Sequence, residues 1–408
     1  EIDLQIVVLL EITMRILFLS FYFKPDFCAG SFRAESVVKA INNEDRILSS
    51  ITLTTKPQRY GKKPKEPKQE SIDKVEVFRF WVPQHGNKFI RQIITFIFFA
   101  FQSIIKSFQL RKQYDIVFTT SSRMGTMTLG NVISWIVNKP HYTDIRDVFS
   151  DNLSSVLSPS KLNKFILKLF RYNEVNVVKR AEWVNFVSPG FFEYFSDNLL
   201  KGKTHLYTNG IDDVFLKNNN HNEITRSENK RLTIVYAGNI GFGQGLETIV
   251  PQIAEVFKNE IEFLIIGDGS SANILSKEIQ NRNLKNVVML PPVNRDKLVV
   301  HYAKADILFL HLADIPAFHK VLPSKIFEYS TYNKPILAGV SGVAKQFLND
   351  NVTASFVFDP SDLNGAREKI EIILSFDQII DRSDFISKNA RSNIMSEMIN
   401  SIVNCYAA

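Results

Sequence analysis

Short apolar runs rich in β-branched residues alternate along the chain with stretches of helical spacing. In the C-terminal half, this pattern predicts strands at residues 232–237, 261–269, 286–293, 304–312 and 334–339. In the N-terminal half, it predicts strands at residues 14–23, 51–55, 75–81, 114–120, 139–147 and 181–190. Because strands that alternate with helices form parallel sheets covered on both faces, the expected fold class is α/β.

The length of the chain predicts two domains. Its 408 residues exceed what one core usually organises, and a hydrophobic content of 45% is ample for burial. Residues 216–231 are polar and lack apolar periodicity, so they are the expected linker between an N-terminal domain at 14–215 and a C-terminal domain at 232–384. Residues 385–408 have the spacing of a closing helix.

Residues 1–13 form an apolar stretch with acidic residues on both sides. They lack the basic start and the small-residue cleavage site of a signal peptide. Because Met14 begins a normal first strand, we interpret the preceding residues as a non-native or upstream extension.

Glycines follow the first two predicted strands of the C-terminal half. They are Gly238, Gly241, Gly243, Gly245, Gly267 and Gly269. Ligands of parallel α/β sheets bind at the carboxyl ends of the strands, where glycine lets the backbone approach closely. Residues 241–246 lack the third glycine of a dinucleotide fingerprint, which disfavours an NAD enzyme. Glu260 and Glu262 nevertheless lie at the distance where such an enzyme has the carboxylate that binds the ribose.

Residues 316–339 predict a tight loop, a helix and a buried strand. Pro323 and Ser324 fit the first helical positions, where free N–H groups and the helix dipole favour an anion. Lys325 adds a mobile cation, and Glu328, one turn later, can accept hydrogen bonds from a ribose diol. The segment therefore predicts a nucleoside diphosphate site. An ordinary amphipathic helix with a surface Lys/Glu pair is the alternative.

The segment KVLPSKIFEY at 320–329 and the glycine turn resemble the nucleotide-sugar site of retaining family-four GT-B glycosyltransferases. The resemblance is closest to enzymes of bacterial surface polysaccharides of the O-antigen, capsule or colanic acid type, which transfer N-acetylhexosamine or fucosamine. It implies two Rossmann-like domains facing across a cleft, with the last helix crossing back to the N-terminal domain. It also implies catalytic roles for Lys325, Glu328 and Arg146. The residues implied to bind the nucleotide sugar are Gly30, Gly238, Asn239, Gln244, Gly245, Gly267, Gly269, Val293, Lys320, Pro323 and Ser324.

Parts of the N-terminal half also resemble the family. Gly30 lies before a helix that contains Arg33 and resembles the first glycine-rich loop, with a simple β-to-α turn as the alternative. Arg146 in TDIRD stands where many relatives have a histidine near the transferred sugar. The turn YTNGID at 207–212 resembles a structural turn that ends this domain in the family.

The chain departs from the family at three positions. Lys320 stands where many members have a glutamate, and Asn239 and Gln244 stand where they have an arginine and a lysine. The sub-branch that this chain most resembles reads GNxGxxQGL at the latter place. Other cations would then have to stabilise the negative charge on a leaving diphosphate, and the candidates are Lys325, Lys320, Arg146 and Arg33.

The sequence predicts no metal and no resident cofactor. Its seven histidines are scattered, and the two aspartates of TDIRD are spaced too widely for a D-x-D metal motif and enclose Arg146. Cys28 and Cys405 give no disulfide framework, which fits a reducing compartment. The expected donor is a nucleotide sugar, most simply a UDP-sugar.

A formal net charge of +7 indicates an anionic partner. Basic residues are interleaved with acids and no nucleic-acid motif occurs, so the expected surface is an anionic membrane. Residues 88–112 hold an apolar run at 93–105 with basic flanks, too short to span and suited to a helix in the interface. A core helix with basic ends is the alternative. The Pro-broken basic loop at 56–68 is a second expected contact.

These observations predict a retaining glycosyltransferase that moves an N-acetylhexosamine or deoxy-aminosugar from a UDP-sugar to a lipid-linked oligosaccharide. The enzyme is expected to be cytoplasmic and peripheral on the inner face of the cell membrane, without an obligate protein partner. A GT-B epimerase or phosphorylase, or a non-catalytic membrane-associated scaffold, are the alternatives.

Overall fold

The computed structural model describes residues 12–26, 28–57, 67–84, 89–121, 123–154, 160–217 and 231–407. The chain divides into two compact units. The N-terminal unit contains residues up to 187, residues 192–208 and residues from 392 onward, and the C-terminal unit contains residues 188–191 and 209–391.

This division differs from the predicted one. Residues 209–215 belong to the C-terminal unit, where Phe215 is buried in the core beside Tyr302. The predicted linker at 216–231 falls mostly on positions 218–230, which lie outside the described residues, as do residues 1–11 of the predicted extension.

The described part of the N-terminal unit is built on a sheet of eight strands in the order β3-β4-β2-β1-β5-β6-β7-β8. They are β1 (Met14–Leu19), β2 (Ile47–Thr55), β3 (Gln69–Ile72), β4 (Val75–Phe80), β5 (Ile116–Thr120), β6 (His141–Ile145), β7 (Trp183–Phe186) and β8 (Thr204–Leu206). Neighbouring strands are parallel except for the edge strand β3, which is antiparallel to β4. The sequence analysis missed β3 because its residues, QESI, contain no apolar run.

Helices cover both faces of this sheet. They are α1 (Ala29–Asn43), α2 (Phe89–Gln109), α3 (Met124–Val137), α4 (Phe149–Ser154), α5 (Lys161–Arg180) and α6 (Asp197–Leu200). Since side chains alternate along a strand, Ile16 and Phe18 of β1 pack with α1, whereas Leu17 and Leu19 pack with α2 and α3.

The C-terminal unit contains, within its described residues, a parallel sheet in the order β11-β10-β9-β12-β13-β14. Its strands are β9 (Leu232–Asn239), β10 (Ile261–Asp268), β11 (Val287–Leu290), β12 (Ile307–His311), β13 (Ile336–Gly339) and β14 (Ser355–Phe358). Its helices are α7 (Asp213–Leu216), α8 (Leu246–Val256), α9 (Ala272–Asn281), α10 (Arg295–Lys304), α11 (Ser324–Tyr329), α12 (Gly342–Asn351), α13 (Leu363–Leu374) and α14 (Ser383–Lys388). The sequence analysis did not predict the edge strand β14.

The last helix, α15 (Arg391–Ala407), packs within the N-terminal unit from residue 392 onward. Met395, Met398 and Ile402 are fully buried in the cluster that contains α1 and β1. The predicted return at residue 385 is wrong, because Ile386 lies in α14 and packs in the C-terminal unit.

Helix α2 buries a stripe of small polar residues together with Phe99 and exposes much of its apolar surface. Thr95, Phe99, Ser103 and Ser107, spaced four residues apart, are buried, whereas isoleucines and phenylalanines cover the outer surface. Ile90–Gln109 is also long and apolar enough, by length and composition alone, to cross a membrane. The helix is therefore longer than the apolar run at 93–105 on which the sequence argument rested, and the interface helix and the core helix both stay predictions.

Candidate active site

Two glycines bring the ends of β9 and β10 close together. Gly238 and Gly267 are paired in register and have φ values of +149° and +151°. A Cβ on Gly267 would collide with the Gly238 carbonyl oxygen, and a Cβ on Gly238 would collide with Nζ of Lys325. Both positions require glycine, because neither the space nor the backbone angle suits another residue. The Lys325 amine therefore lies over the end of β9.

Lys325 lies on α11 beside an aromatic ring. It is the second residue of α11, a helix of six residues that Pro323 precedes as N-cap. Its Nζ lies 5.5 Å from the ring centroid of Tyr236, whose hydroxyl donates a 2.6 Å hydrogen bond to the Asn239 carbonyl. Burial lowers the pKa of Lys325, while the charge of Glu328 opposes that effect. The site therefore contains a cation without a hydrogen-bonding anion among the described residues.

Glu328 lies on the next turn of α11 and is half-buried. No described residue donates a hydrogen bond to its carboxylate. Burial raises the pKa of Glu328, whereas the charges of Lys325, Arg295 and Arg391 act in the opposite direction. The Glu328 carboxylate can therefore accept hydrogen bonds from a ligand.

The two arginines near Glu328 were missed by the sequence analysis. The Asp212 carboxylate accepts hydrogen bonds of 2.6 Å from both Arg295 and Arg391. Arg391 also donates to the Asn209 carbonyl at 2.7 Å. These residues are far apart in sequence, and only Asp212, in the turn YTNGID, gave a signal. The cluster places positive charge beside Glu328 and fixes that turn.

Asn239 and Gln244 hydrogen-bond to each other. The Gln244 Oε1 accepts from Asn239 Nδ2 at 2.9 Å and from the Gly241 N–H at 3.2 Å. Gly245, with φ of +58°, begins α8 in the left-handed conformation that glycine adopts without strain. The two side chains that replace the family's cations therefore hold the turn closed.

His311, at the end of β12, was also missed. Its Nδ1 lies 2.6 Å from the Gln244 carbonyl oxygen, and its Nε2 accepts a 3.1 Å hydrogen bond from the Ser361 N–H. Burial lowers the pKa of His311 to about 4, so the ring is neutral and bridges two loops. Its position directly after the apolar run ILFL was the available sequence signal.

The remaining predicted site residues of the C-terminal unit differ in their burial and contacts. The Lys320 carbonyl accepts a 2.6 Å hydrogen bond from Ser188, one of the residues 188–191 that join this unit. Val293 is half-buried against the core, and Ser324 is the first residue of α11. A Cβ on Gly269 would collide with the Ile240 carbonyl.

In the N-terminal unit, Arg33 is fully paired. It donates to both carboxylate oxygens of Asp144 at 2.7 and 2.9 Å, and to the carbonyls of Thr208 and Tyr207 at 2.8 and 3.1 Å. Arg33 is 1% exposed. The expectation that it could serve a diphosphate is therefore wrong. Gly30 is also not in a loop, since it is the second residue of α1.

Arg146 follows β6 in the N-terminal unit. Its backbone N–H donates to Ser121 Oγ at 2.8 Å, and its buried Nε has no hydrogen-bond partner among the described residues. Burial lowers the pKa of Arg146, and the charge of Arg33 adds to that effect. The structure thus places Gly30 and Arg146 in one unit and the remaining predicted site residues in the other.

Residues 217–393 match the family model described as "Glycosyl transferases group 1". This chain is 22% identical over 169 residues to a 2-deoxystreptamine N-acetyl-D-glucosaminyltransferase of Niallia circulans, covering 41% of each chain. It is 32% identical over 105 residues to the putative colanic acid biosynthesis glycosyl transferase WcaI of Escherichia coli K12, covering 26% of this chain and 25% of WcaI. The matches thus span less than half of the curated relatives.

Residues 217–393 form a group 1 glycosyltransferase domain. Anabaena Alr3699/HepE, solved in complex with UDP, has a similar structure, with a TM-score of 0.63, 15% identity and coverage of 96% of this chain and 100% of that one. At that identity the likeness shows the fold, which is GT-B. The predicted glycosyltransferase family is confirmed for residues 217–393. The predicted α/β class with two Rossmann-like domains is confirmed by the two parallel sheets of the described residues and by the similar solved structure. No group of three or more metal-ligating side chains occurs in the described part of the chain.

Proposed function

We propose that this chain is a retaining glycosyltransferase that moves a sugar from a UDP-sugar to a lipid-linked saccharide. The observation that carries the proposal is the pair Lys325 and Glu328 on α11, with the Lys325 amine over the carboxyl end of β9 and neither side chain hydrogen-bonded by a described residue. A cation and a carboxylate one turn apart match the diphosphate and the ribose of a nucleotide sugar.

The proposed division of labour follows from these positions. The Lys325 ammonium stabilises the negative charge that develops on the departing diphosphate, an effect worth a few kcal/mol. The Glu328 carboxylate accepts hydrogen bonds from the ribose hydroxyls. Gly238 leaves room for the Lys325 amine at the end of β9, and the bridge between His311 and Gln244 holds the neighbouring turn.

Arg146 is proposed to act on the sugar or on the acceptor. Its guanidinium has donors to offer, in contrast to that of Arg33. In retaining transfer, the leaving phosphate oxygen receives the acceptor proton, so the proposal requires no separate general base.

The donor and acceptor are inferred from different observations. UDP is bound in the solved Anabaena structure, which supports a UDP-linked donor. The name of WcaI points to a polysaccharide, whereas that of the Niallia circulans enzyme points to an aminoglycoside. The exposed apolar side of α2 favours a lipid-linked acceptor and a peripheral position on the cytoplasmic face of the membrane. Of the predicted membrane contacts, Lys88 and residues 58–66 lie outside the described residues.

The test is hydrolysis and transfer with a panel of nucleotide sugars, using the parent, Lys325→Ala and Lys345→Ala. Lys345 lies on the same unit and pairs with Asp359 on the surface, so its loss is a matched control. We expect slow hydrolysis of one UDP-sugar by the parent and by the control, and loss of it in Lys325→Ala. Hydrolysis that survives in Lys325→Ala would contradict the assigned role.

A non-catalytic scaffold is the second candidate, and one observation favours it. The hydrogen bond between Asn239 and Gln244 occupies the place of the family's two cations. If the parent binds UDP but hydrolyses and transfers none of the sugars, the scaffold is the better account.

A further inference from the structure

Three neighbouring helices form one outer face of the N-terminal unit. Helix α2 contacts α3, since the Arg123 guanidinium donates to the Gln92 carbonyl at 3.5 Å and Gly125 lies against the Phe96 ring. Helix α5 contacts α3 from the other side, where Asn173 donates to Thr128 at 2.8 Å. The three helices thus lie side by side, with α3 in the middle.

This face exposes large apolar side chains on every helix. On α2 they are Ile90, Ile93, Ile94, Ile97, Phe98, Phe101, Ile105 and Phe108. On α3 they are Val132, Trp135 and Ile136, and on α5 they are Leu162, Phe165, Leu169 and Tyr172. Exposed apolar surface of this extent marks a binding surface rather than the ordinary exterior of a soluble domain.

The same face is almost free of negative charge. The whole chain contains 42 aspartates and glutamates, yet α2 and α3 contain none. Helix α5 contains only Glu174, which is buried and accepts hydrogen bonds from Ser150 and Tyr194. The face therefore offers no carboxylate to repel an anionic surface.

Helix α5 carries a row of lysines on its exposed side. Lys161, Lys164 and Lys168 are exposed and spaced at i, i+3 and i+7, so they form a stripe along the helix. Phe165 and Leu169, 66% and 57% exposed, belong to a parallel apolar stripe beside it. An amphipathic helix with basic and apolar stripes side by side is suited to a membrane interface with anionic lipid.

We propose that α5 is a second membrane-contact helix, which binds anionic lipid headgroups through Lys161, Lys164 and Lys168 while Phe165 and Leu169 enter the interface. This inference deepens the membrane attachment proposed above for α2 and rests on it. The occupant is an anionic bilayer, because the charge of the face complements lipid phosphates and its apolar residues match the acyl boundary.

The first experiment is flotation with phosphatidylcholine vesicles that contain no or 30% phosphatidylglycerol, the composition being our choice of probe. Replacing Lys161, Lys164 and Lys168 by Gln should weaken binding to the anionic vesicles roughly a hundredfold, at about 1 kcal/mol per cation. The control replaces Lys258, Lys277 and Lys285 of the C-terminal unit by Gln, which removes the same charge from another exposed surface. An equal loss in both triple variants would overturn the proposal, since net charge alone would then explain binding.

The second experiment separates insertion from oligomerisation. Phe165→Ser with Leu169→Ser should weaken vesicle binding at least about tenfold, whereas Val288→Ser with Ile379→Ser, exposed positions of the C-terminal unit, should not. Sedimentation velocity without lipid should show the same species for all variants. A parent dimer that the Phe165/Leu169 variant dissociates would overturn the proposal in favour of a second copy of the chain.

UDP calorimetry distinguishes this inference from the proposed enzyme function. Each α5 variant should bind UDP as the parent does, because α5 and Lys325 lie in different units. A parent that binds UDP but ignores anionic vesicles overturns the α5 inference and the membrane attachment of α2, and leaves the nucleotide-sugar site standing. A parent that binds vesicles but not UDP overturns the proposed function alone.

Discussion

Arg33 of the N-terminal unit and Lys325 of the C-terminal unit are cations near the beginning of a helix, and their surroundings differ. Arg33 donates to Asp144 and to two carbonyls, and Asp144 also accepts from Thr120 and Asn185 at 2.7 Å each. Burial opposes ionisation of Asp144, but the charge and hydrogen bonds of Arg33 outweigh it and lower the pKa of that carboxyl. Lys325, in contrast, has its amine against Gly238 and the ring of Tyr236 and has no hydrogen-bond acceptor among the described residues.

This difference separates a structural cation from a candidate catalytic one. A cation whose hydrogen bonds are satisfied inside the protein has no donors left for a substrate, and its removal leaves a buried charge behind. A cation without an acceptor can stabilise charge that appears only during a reaction. The exposed surfaces differ too, because the outer helices of the N-terminal unit present apolar side chains on one face.

The largest expected effect is on the N-terminal unit. Arg33→Met would leave Asp144 as a buried carboxylate without its partner, so the free energy of unfolding should fall by about 3–5 kcal/mol. Scanning calorimetry measures this, with Arg15→Met, whose ion pair with Asp115 is partly exposed, as the milder control. A stable Arg33→Met protein with lost turnover would instead make Arg33 a substrate residue.

A pH experiment tests how the C-terminal turn is held. Because the pKa of His311 falls from 6.5 to about 4 on folding, its contribution is complete above pH 6.5 and is lost as the pH falls toward 4. The shift corresponds to about 3 kcal/mol. Urea unfolding at pH 7.5 and pH 5 should show a smaller pH dependence in His311→Gln than in the parent. His301→Gln, on α10, is the control, and an unchanged pH dependence in His311→Gln would contradict the neutral bridge.

Lys325→Ala should lower turnover about a hundredfold or more, equivalent to about 2.7 kcal/mol, with little change in donor affinity. Its unfolding free energy should not fall, because the amine makes no hydrogen bond with any residue that the structure describes. Steady-state kinetics and calorimetry measure the two quantities. Gly238→Ala should reproduce the turnover loss, because its Cβ would displace Nζ. Near-normal turnover in Lys325→Ala would move the role to Lys320 or Arg146.

The smallest expected effect is on binding. Glu328→Gln should weaken UDP binding by about 2 kcal/mol, since a charged hydrogen bond to the ribose becomes a neutral one. Isothermal titration calorimetry measures this. Glu371→Gln, on the surface of α13 beside Arg367, should bind UDP normally. Unchanged affinity in Glu328→Gln would remove the ribose assignment.

The sequence alone determined the α/β class, most strand positions and the segment 320–329. These features are local: apolar β-branched runs, glycines at strand ends and a proline at a helix start each leave a readable pattern. The edge strand β3 could not be predicted, because a polar edge strand lacks an apolar run. The side of α2 that faces the core could not be predicted either, because it depends on the elements that pack against the helix.

Only the tertiary structure decided which charged residues have partners. Arg33 and Asp144 are 111 positions apart, and Arg391 and Asp212 are 179 apart, so no local pattern could show that these arginines are paired. In the same way, the His311 bridge depends on loops that meet only in the folded chain. Sequence fixes which side chains carry charge, but hydrogen bonding depends on distances of about 3 Å that long-range packing alone sets.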